Sequence, residues 1–338
     1  MHDIPTNFLA TPDAWRGPDL QARRDWIYVL SPAEVTELKA ALQVGLASGK
    51  PMNAWTQEDF PLPVLAGTVR AWMEELNIGR GFVLVRGFPV QDHSKEECER
   101  IYWGMGLYMG AAVSQNSDGD LLGHVRDTGV APEKGVRLYK TRVEQDFHVD
   151  GADIIGLFCL RAGKSGGVSR IVSSVAVFNE IMRTRPDLIP TLFETFPFDN
   201  HGQEAPGAPP WFDFPVCHMA DGRLRTFFVP WYIRDSQRFE AAPRLSDKQV
   251  ACVEAIETIA NDPAFYLDMD FEPGDMQLLK NASIMHKRTA YEDWDAPDQK
   301  RHLLRLWLTA RDFSAGDARL RQGVAARSGS SGTCEREG

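Results

Sequence analysis

Apolar residues recur at two different spacings along this chain, and the changeover divides it into regions. Ser31-Pro32-Ala33-Glu34 has the make-up of a helix start: a serine hydroxyl that can accept from the third backbone amide, a proline in the first turn and a glutamate that can reach back. Leu38, Ala41, Leu42 and Leu46 follow at helical spacing. A second helix is expected over about 65–77, ending before Gly79, and a third over about 95–105. Between them Gly81-Phe82-Val83-Leu84-Val85, apolar and bracketed by glycines, reads as a buried strand. The first third therefore predicts helices and a strand at the edge of a sheet.

From Ala111 to Ser174 the spacing shortens to apolar runs split by Gly, Asp and Ser, the texture of antiparallel β structure. Helix is expected again over 177–184, with a further turn or two within 187–194, and 196–210, with four prolines and two glycines, reads as a long loop. Asp221-Gly222 signals a hairpin between strands at 216–219 and 226–229. Ser246 is a plausible N-cap for a helix running to Asn261, with Pro263 just beyond it. The last strands are expected at 276–279, 284–286 and 302–309. Strands interleaved with helices, without regular β-α-β alternation, predict a mainly β fold with added helices, a jelly-roll barrel rather than a parallel sheet.

Composition narrows the class. At 338 residues, with 43% hydrophobic and 10% aromatic residues, the chain can bury a sizeable core, and nothing resembling a linker precedes the end, so one domain over 1–312 is expected. The tail 313–338, with Arg327-Ser328-Gly329-Ser330-Ser331-Gly332, is expected to be disordered. A net charge of −10 and the lack of a Lys/Arg run argue against a nucleic-acid binder. No stretch approaches the roughly 20 apolar residues of a membrane span, and Met1–Leu20 lacks the apolar run of a secretory signal, so a cytoplasmic location away from membranes is expected. The five cysteines, Cys98, Cys159, Cys217, Cys252 and Cys334, show no paired spacing and read as free thiols.

The chemistry lies in three separated residues. In Phe147-His148-Val149-Asp150 the i, i+2 pair of an extended segment puts both side chains on one face, within reach of one ion. His286, brought alongside by a barrel, would complete a two-histidine, one-carboxylate facial triad that leaves metal positions open, as oxygen-activating non-heme Fe(II) enzymes require. Arg301 suits an acidic cosubstrate, because a guanidinium makes paired charge-assisted bonds to a carboxylate and cannot lose its proton. Arg305, four residues on, faces the same side by strand alternation, whereas His302 faces away. Gly166 and Gly167 are expected to serve the backbone turn, Asn281 to support the site, and Tyr291 and Trp294 to line the pocket or pack.

The segments Phe147–Asp153, Lys164-Ser165-Gly166-Gly167-Val168-Ser169, Pro273-Gly274-Asp275-Met276 with 281–286, and Arg301-His302-Leu303-Leu304-Arg305-Leu306-Trp307 resemble the taurine dioxygenase (TauD/TfdA-like) family of Fe(II)/2-oxoglutarate-dependent oxygenases, over about 78–312. The resemblance implies a double-stranded β-helix, clavaminate synthase-like, with Fe(II), 2-oxoglutarate and O2. It implies His148, Asp150 and His286 as the metal ligands and catalytic centre, and Arg301 with the Ser169 hydroxyl, a threonine in the family, on the cosubstrate's far carboxylate. Arg305 matches the arginine that holds the substrate's sulfonate in taurine dioxygenase, which suggests a small anionic or amino-acid-like substrate. Hydroxylation of an unactivated C–H bond is the usual outcome, with desaturation or cyclisation using the same chemistry. The residues 142–146 are more charged than is common in the family. Rival readings are a cupin-type metal hydrolase or isomerase, which would not need Arg301 and Ser169 as a dock, and a non-catalytic small-molecule-binding protein on the same fold. A homo-oligomer is compatible with the sequence.

Overall fold

The computed structural model describes residues 4–116, 118–131, 138–204, 207–310 and 313. The expectation of a disordered tail falls almost wholly outside them.

The predicted helices form at Pro32–Ala47, Leu65–Asn77 and Lys95–Gly106. The Ser31 hydroxyl accepts from the Glu34 amide while Glu34 reaches back to the Ser31 amide, and Ser94 with Glu97 repeats the device. All three pack on one face of a seven-stranded sheet ordered Ile27–Val29, Phe82–Arg86, Met276–Lys280, Ile154–Arg161, His302–Thr309 and Ala111–Ala112, with Leu122–Val125 also on the His302 strand. Only Ile27–Val29 with Phe82–Arg86 is parallel among the described pairings. Phe82–Arg86 is thus an inner strand paired on both sides, not the edge that its flanking helices suggest; the edge is Ile27–Val29, too short to stand out in the sequence.

Four more strands, Tyr266–Met269, Ser169–Ser173, Ile284–Arg288 and Gln145–His148, form a second antiparallel sheet. Ile155, Leu279 and Trp307 of the large sheet share one buried cluster with Ile171, Ile284 and Leu267 of the small sheet, so the two sheets face each other as a jelly roll. Trp15 and Leu20, from an arm without recognisable motif, close this cluster, with the Trp15 indole donating to the Arg80 carbonyl at 2.8 Å. The outer face of the small sheet is covered by Ser174–Thr184 and Asp247–Ala260, the latter capped by Ser246 as expected.

Two local expectations need correction. The segment expected to be a loop over 196–210 begins with the strand Thr195–Asp199, which pairs with Trp211–Pro215; Phe196 and Phe198 alternate inward across the prolines that hid the pattern. The Asp221-Gly222 hairpin forms with both residues at positive φ (52° and 70°), but its second strand is Arg223–Thr226, earlier than expected, so the return is immediate.

Candidate active site

His148 ends one strand of the small sheet and His286 lies at the middle of its neighbour, directly opposite in register. Their rings sit 4.2 Å apart between centroids. Asp150 is beyond the strand end, held there by Asn281, whose Oδ1 accepts from the Asp150 amide at 2.8 Å and whose Nδ2 donates to the carbonyls of Asp150 and Ala152. The carboxylate thereby reaches both imidazoles: His148 Nε2 is 3.7 Å from Oδ1 and His286 Nε2 is 3.6 Å from Oδ2. One ligand atom from each of the three lies within 4.8 Å of the others. That convergence is what a single small ion bridges.

Two of the three donors, His148 and Asp150, are in the chemical state that ligation needs. His148 Nδ1 donates to the Asp146 carbonyl at 2.8 Å, which leaves the lone pair of Nε2 facing inward. Burial, and then the charge of nearby His286, push its pKa down to about 3, so the ring is neutral, as metal ligation needs. Burial works against ionising Asp150, but the hydrogen bond to His286 and the charge of Arg305 outweigh it and hold the carboxyl below the usual carboxylate range. The Trp307 indole also donates to Asp150 Oδ2 at 3.2 Å. The two-nitrogen, one-carboxylate set fits Fe(II).

Arg301, at the mouth of its strand, is 4% exposed and turned into the barrel. Its Nη2 donates to the Gly167 carbonyl at 3.3 Å, Nη1 has no partner, and its guanidinium lies 5.0 Å from the Tyr291 ring centroid. A Cβ on Gly167 would stand 2.8 Å from Arg301 Nε, and Gly167 has φ of 69°, so this glycine serves the arginine as well as the turn. Ser169 is buried but occupied: its hydroxyl is bonded to the Gln277 side chain at 3.0–3.1 Å and makes no contact with Arg301. The structure therefore brings His148, Asp150 and His286 together, and leaves Arg301 on the Gly167 carbonyl and Ser169 on Gln277 without joining them.

Arg305 faces inward beside the carboxylate, Nη1 3.9 Å from Asp150 Oδ2. Its Nε donates to Gln115 Oε1 at 2.7 Å, and Gln115 Nε2 returns a bond to the Arg305 carbonyl at 2.8 Å. Tyr139 and Trp307 flank the guanidinium at 4.8 and 4.9 Å. His302 faces outward as expected and pairs with His124 at 2.9 Å. Trp294 is exposed, while Tyr291 is buried with its ring beside the Arg301 and Arg288 guanidiniums.

Sequence reading missed Gln115, Trp307, Gln145, whose Nε2 is 3.1 Å from His148 Nε2, and Arg288. Arg288 had a signal, since it lies two residues past His286 on one strand and so shares its face. A second cluster, Asp199, His201 and Asp235, also converges, but Arg238 Nε at 2.8 Å from Asp199 makes it an ion-pair network.

A family model described as "Taurine catabolism dioxygenase TauD, TfdA family" matches residues 47–307. FR-33289 synthase of Streptomyces rubellomurinus is 28% identical over 302 residues, covering 88% of this chain and 89% of that protein. The taurine hydroxylase-like protein of Stachybotrys chartarum is 30% identical over 308 residues, covering 87% and 77%. Among solved structures, an asparagine oxygenase in complex with Fe(II), 3-hydroxyasparagine and succinate superposes with a TM-score of 0.66 at 12% identity, over 84% of this chain and 93% of that one, a likeness of fold. No helix among the described residues is long and apolar enough to cross a membrane.

Proposed function

Because the chain belongs to the taurine catabolism dioxygenase TauD, TfdA family, a 2-oxoglutarate-dependent non-heme iron dioxygenase using Fe(II), 2-oxoglutarate and O2, we propose that it oxidises an unactivated C–H bond of a small anionic or amino-acid-like substrate. His148, Asp150 and His286 would hold Fe(II), which when bound supplies oxygen activation coupled to decarboxylation of 2-oxoglutarate to succinate and carbon dioxide.

The protein's own residues do the positioning. Arg301 would present a buried guanidinium whose Nη1 has no hydrogen-bond partner to the cosubstrate's far carboxylate, with the buried Ser169 hydroxyl, now bonded to Gln277, as a second contact. Asn281 fixes the Asp150 backbone and Trp307 donates to its carboxylate, which together hold it in the ligand set. Arg305 offers a cation to an acidic group of the substrate within a few ångströms of the metal-facing carboxylate. Its place beside Asp150 is the observation that carries the substrate class. One relative's name points to taurine, itself an acid.

The test is a panel of small sulfonates, phosphonates, carboxylates and amino acids, read as stimulated oxygen uptake and succinate release with Fe(II) and 2-oxoglutarate. The expected result is stimulation by members carrying an acidic group, abolished by His148→Ala. Stimulation confined to uncharged compounds would overturn the substrate class.

A further inference from the structure

Ile284–Arg288 turns two polar side chains into the barrel: His286 and, two residues on, Arg288. Arg288 stands opposite Ser169 in register, on the rung next to the Gly166–Gly167 turn. It is buried, 8% exposed. Its Nη2 donates to the Leu138 carbonyl at 3.2 Å and to the Val143 carbonyl, but Nε and Nη1 have no partner. Its guanidinium lies 5.2 Å from the Tyr291 ring centroid, the same ring that Arg301 approaches to 5.0 Å. Two buried guanidiniums thus share one aromatic ring, and neither forms an ion pair among the described residues; the Asp293 carboxylate near Arg301 is bonded to the Arg301 backbone amide at 2.6 Å. Asp127, the nearest acid to influence Arg288, is paired with Arg142 at 3.4 Å.

Such an arrangement is costly unless an anion completes it, because desolvation and mutual repulsion both act against two buried cations side by side. Carbonyl oxygens and a ring face offset only part of that. An oxyanion entering the cavity would meet three buried N–H-bearing nitrogens without partners: Nε and Nη1 of Arg288 and Nη1 of Arg301.

We propose that Arg288 is a second arm of the cosubstrate dock, closing with Arg301 on the distal carboxylate of 2-oxoglutarate. The proposal rests on the Arg301 reading and deepens it. It makes the dock selective for 2-oxo acids carrying a second carboxylate, since a shorter monocarboxylic 2-oxo acid would leave two buried cations unanswered.

The experiment compares 2-oxoglutarate with 2-oxobutyrate, which chelates iron the same way but lacks the distal carboxylate. Full-length protein is loaded with Fe(II) under anaerobic conditions, and each acid is titrated by the visible absorption that a chelated 2-oxo acid produces, so no turnover is needed. Arg288→Met is expected to weaken 2-oxoglutarate about tenfold or more and to leave 2-oxobutyrate within about twofold. A purely structural role would weaken both alike, and that result, or unchanged 2-oxoglutarate binding, would overturn the proposal. Should Arg288→Met not fold, Arg288→Lys carries the same comparison, with a smaller loss confined to 2-oxoglutarate, because an ammonium keeps the charge but not the fork. Arg301→Met separates the two readings. If it loses the preference for 2-oxoglutarate while Arg288→Met keeps it, only the second arm fails; if neither loses it, the dock itself is wrong.

Discussion

Arg301 and Arg305 stand on the same side of one strand, four residues apart, yet they live in opposite electrostatic conditions. Arg305 is provided for: Gln115 accepts from its Nε, and the Asp150 carboxylate lies 3.9 Å from its Nη1. Arg301 has a backbone carbonyl, the Tyr291 ring and the cation of Arg288 nearby and no ion pair among the described residues, the neighbouring Asp293 carboxylate being bonded to its backbone amide at 2.6 Å. A partnered buried arginine is held in place before any ligand arrives. A pair of buried guanidiniums without ion pairs favours a ligand that arrives charged. On the proposed reading, the difference separates a pre-positioned cation for the substrate from a dock that the cosubstrate would complete.

The largest expected effect removes the centre that both ends serve. His148→Ala should lower turnover by more than about a hundredfold, because even residues that merely orient a metal ligand cost about 10–100-fold when lost. Fe(II) binding measured by equilibrium dialysis should fall with it. Retained iron affinity with lost turnover would detach the histidine from the ion.

At the uncompensated end, Arg301→Met should raise the 2-oxoglutarate KM about a hundredfold, since two charge-assisted bonds at about 1.5 kcal/mol each are lost. The KM for the prime substrate should hardly move. At the compensated end, Arg305→Met should raise the prime-substrate KM about tenfold and leave the slow substrate-independent decarboxylation of 2-oxoglutarate unchanged. Should the two variants shift the same constant, the two arginines do not divide the labour and the contrast collapses.

A smaller change probes the geometry of the dock alone. Gly167→Ala adds a Cβ 2.8 Å from Arg301 Nε on a backbone with φ of 69°, so the substitution both strains the turn and displaces the guanidinium. The αL penalty for alanine is about 1–2 kcal/mol. A several-fold rise in the 2-oxoglutarate KM with an unaltered prime-substrate KM is expected, from steady-state kinetics.

The parts of this site that were legible in the sequence are those governed by local periodicity. His148 and Asp150 share a face because they are two apart on an extended chain, and the inward turn of Arg301 and Arg305 follows from alternation that persists through the strand; the irregularity at His302/Leu303 falls on the partner strand. The capped helices at Ser31 and Ser246 follow from short-range hydrogen bonding, which spacing reveals. What escaped depends on long-range pairing. Gln115 reaches Arg305 across 190 residues, a distance over which no periodic signal operates; the sequence suggests Asn281 as a support but not its partner, Asp150, 131 residues away. Strand Thr195–Asp199 was obscured by the prolines near it, and Ile27–Val29 by its length. Arg288 was legible in principle, on the same alternation as His286, but without register nothing distinguished it from an arginine at a strand end.

Gln115 offers the finest adjustment of the contrast, because it compensates Arg305 without touching any metal-facing side chain in the described contacts. Its amide is used at both ends: Oε1 accepts from Arg305 Nε, and Nε2 donates to the carbonyls of Arg305 and Leu121 at 2.8 and 3.0 Å. Gln115→Leu keeps most of the volume and withdraws all three bonds, leaving Arg305 to lean harder on Asp150. The loss of buried partners should cost about 1–3 kcal/mol, read as a Tm lowered by a few degrees. Binding of 2-oxoglutarate, which we propose to be seated at the other arginine, should stay within about twofold of the parent. If the 2-oxoglutarate affinity fell by as much as the prime-substrate affinity, the two ends of the cavity would be one coupled unit, and Arg305 could not be treated as compensated independently of Arg301.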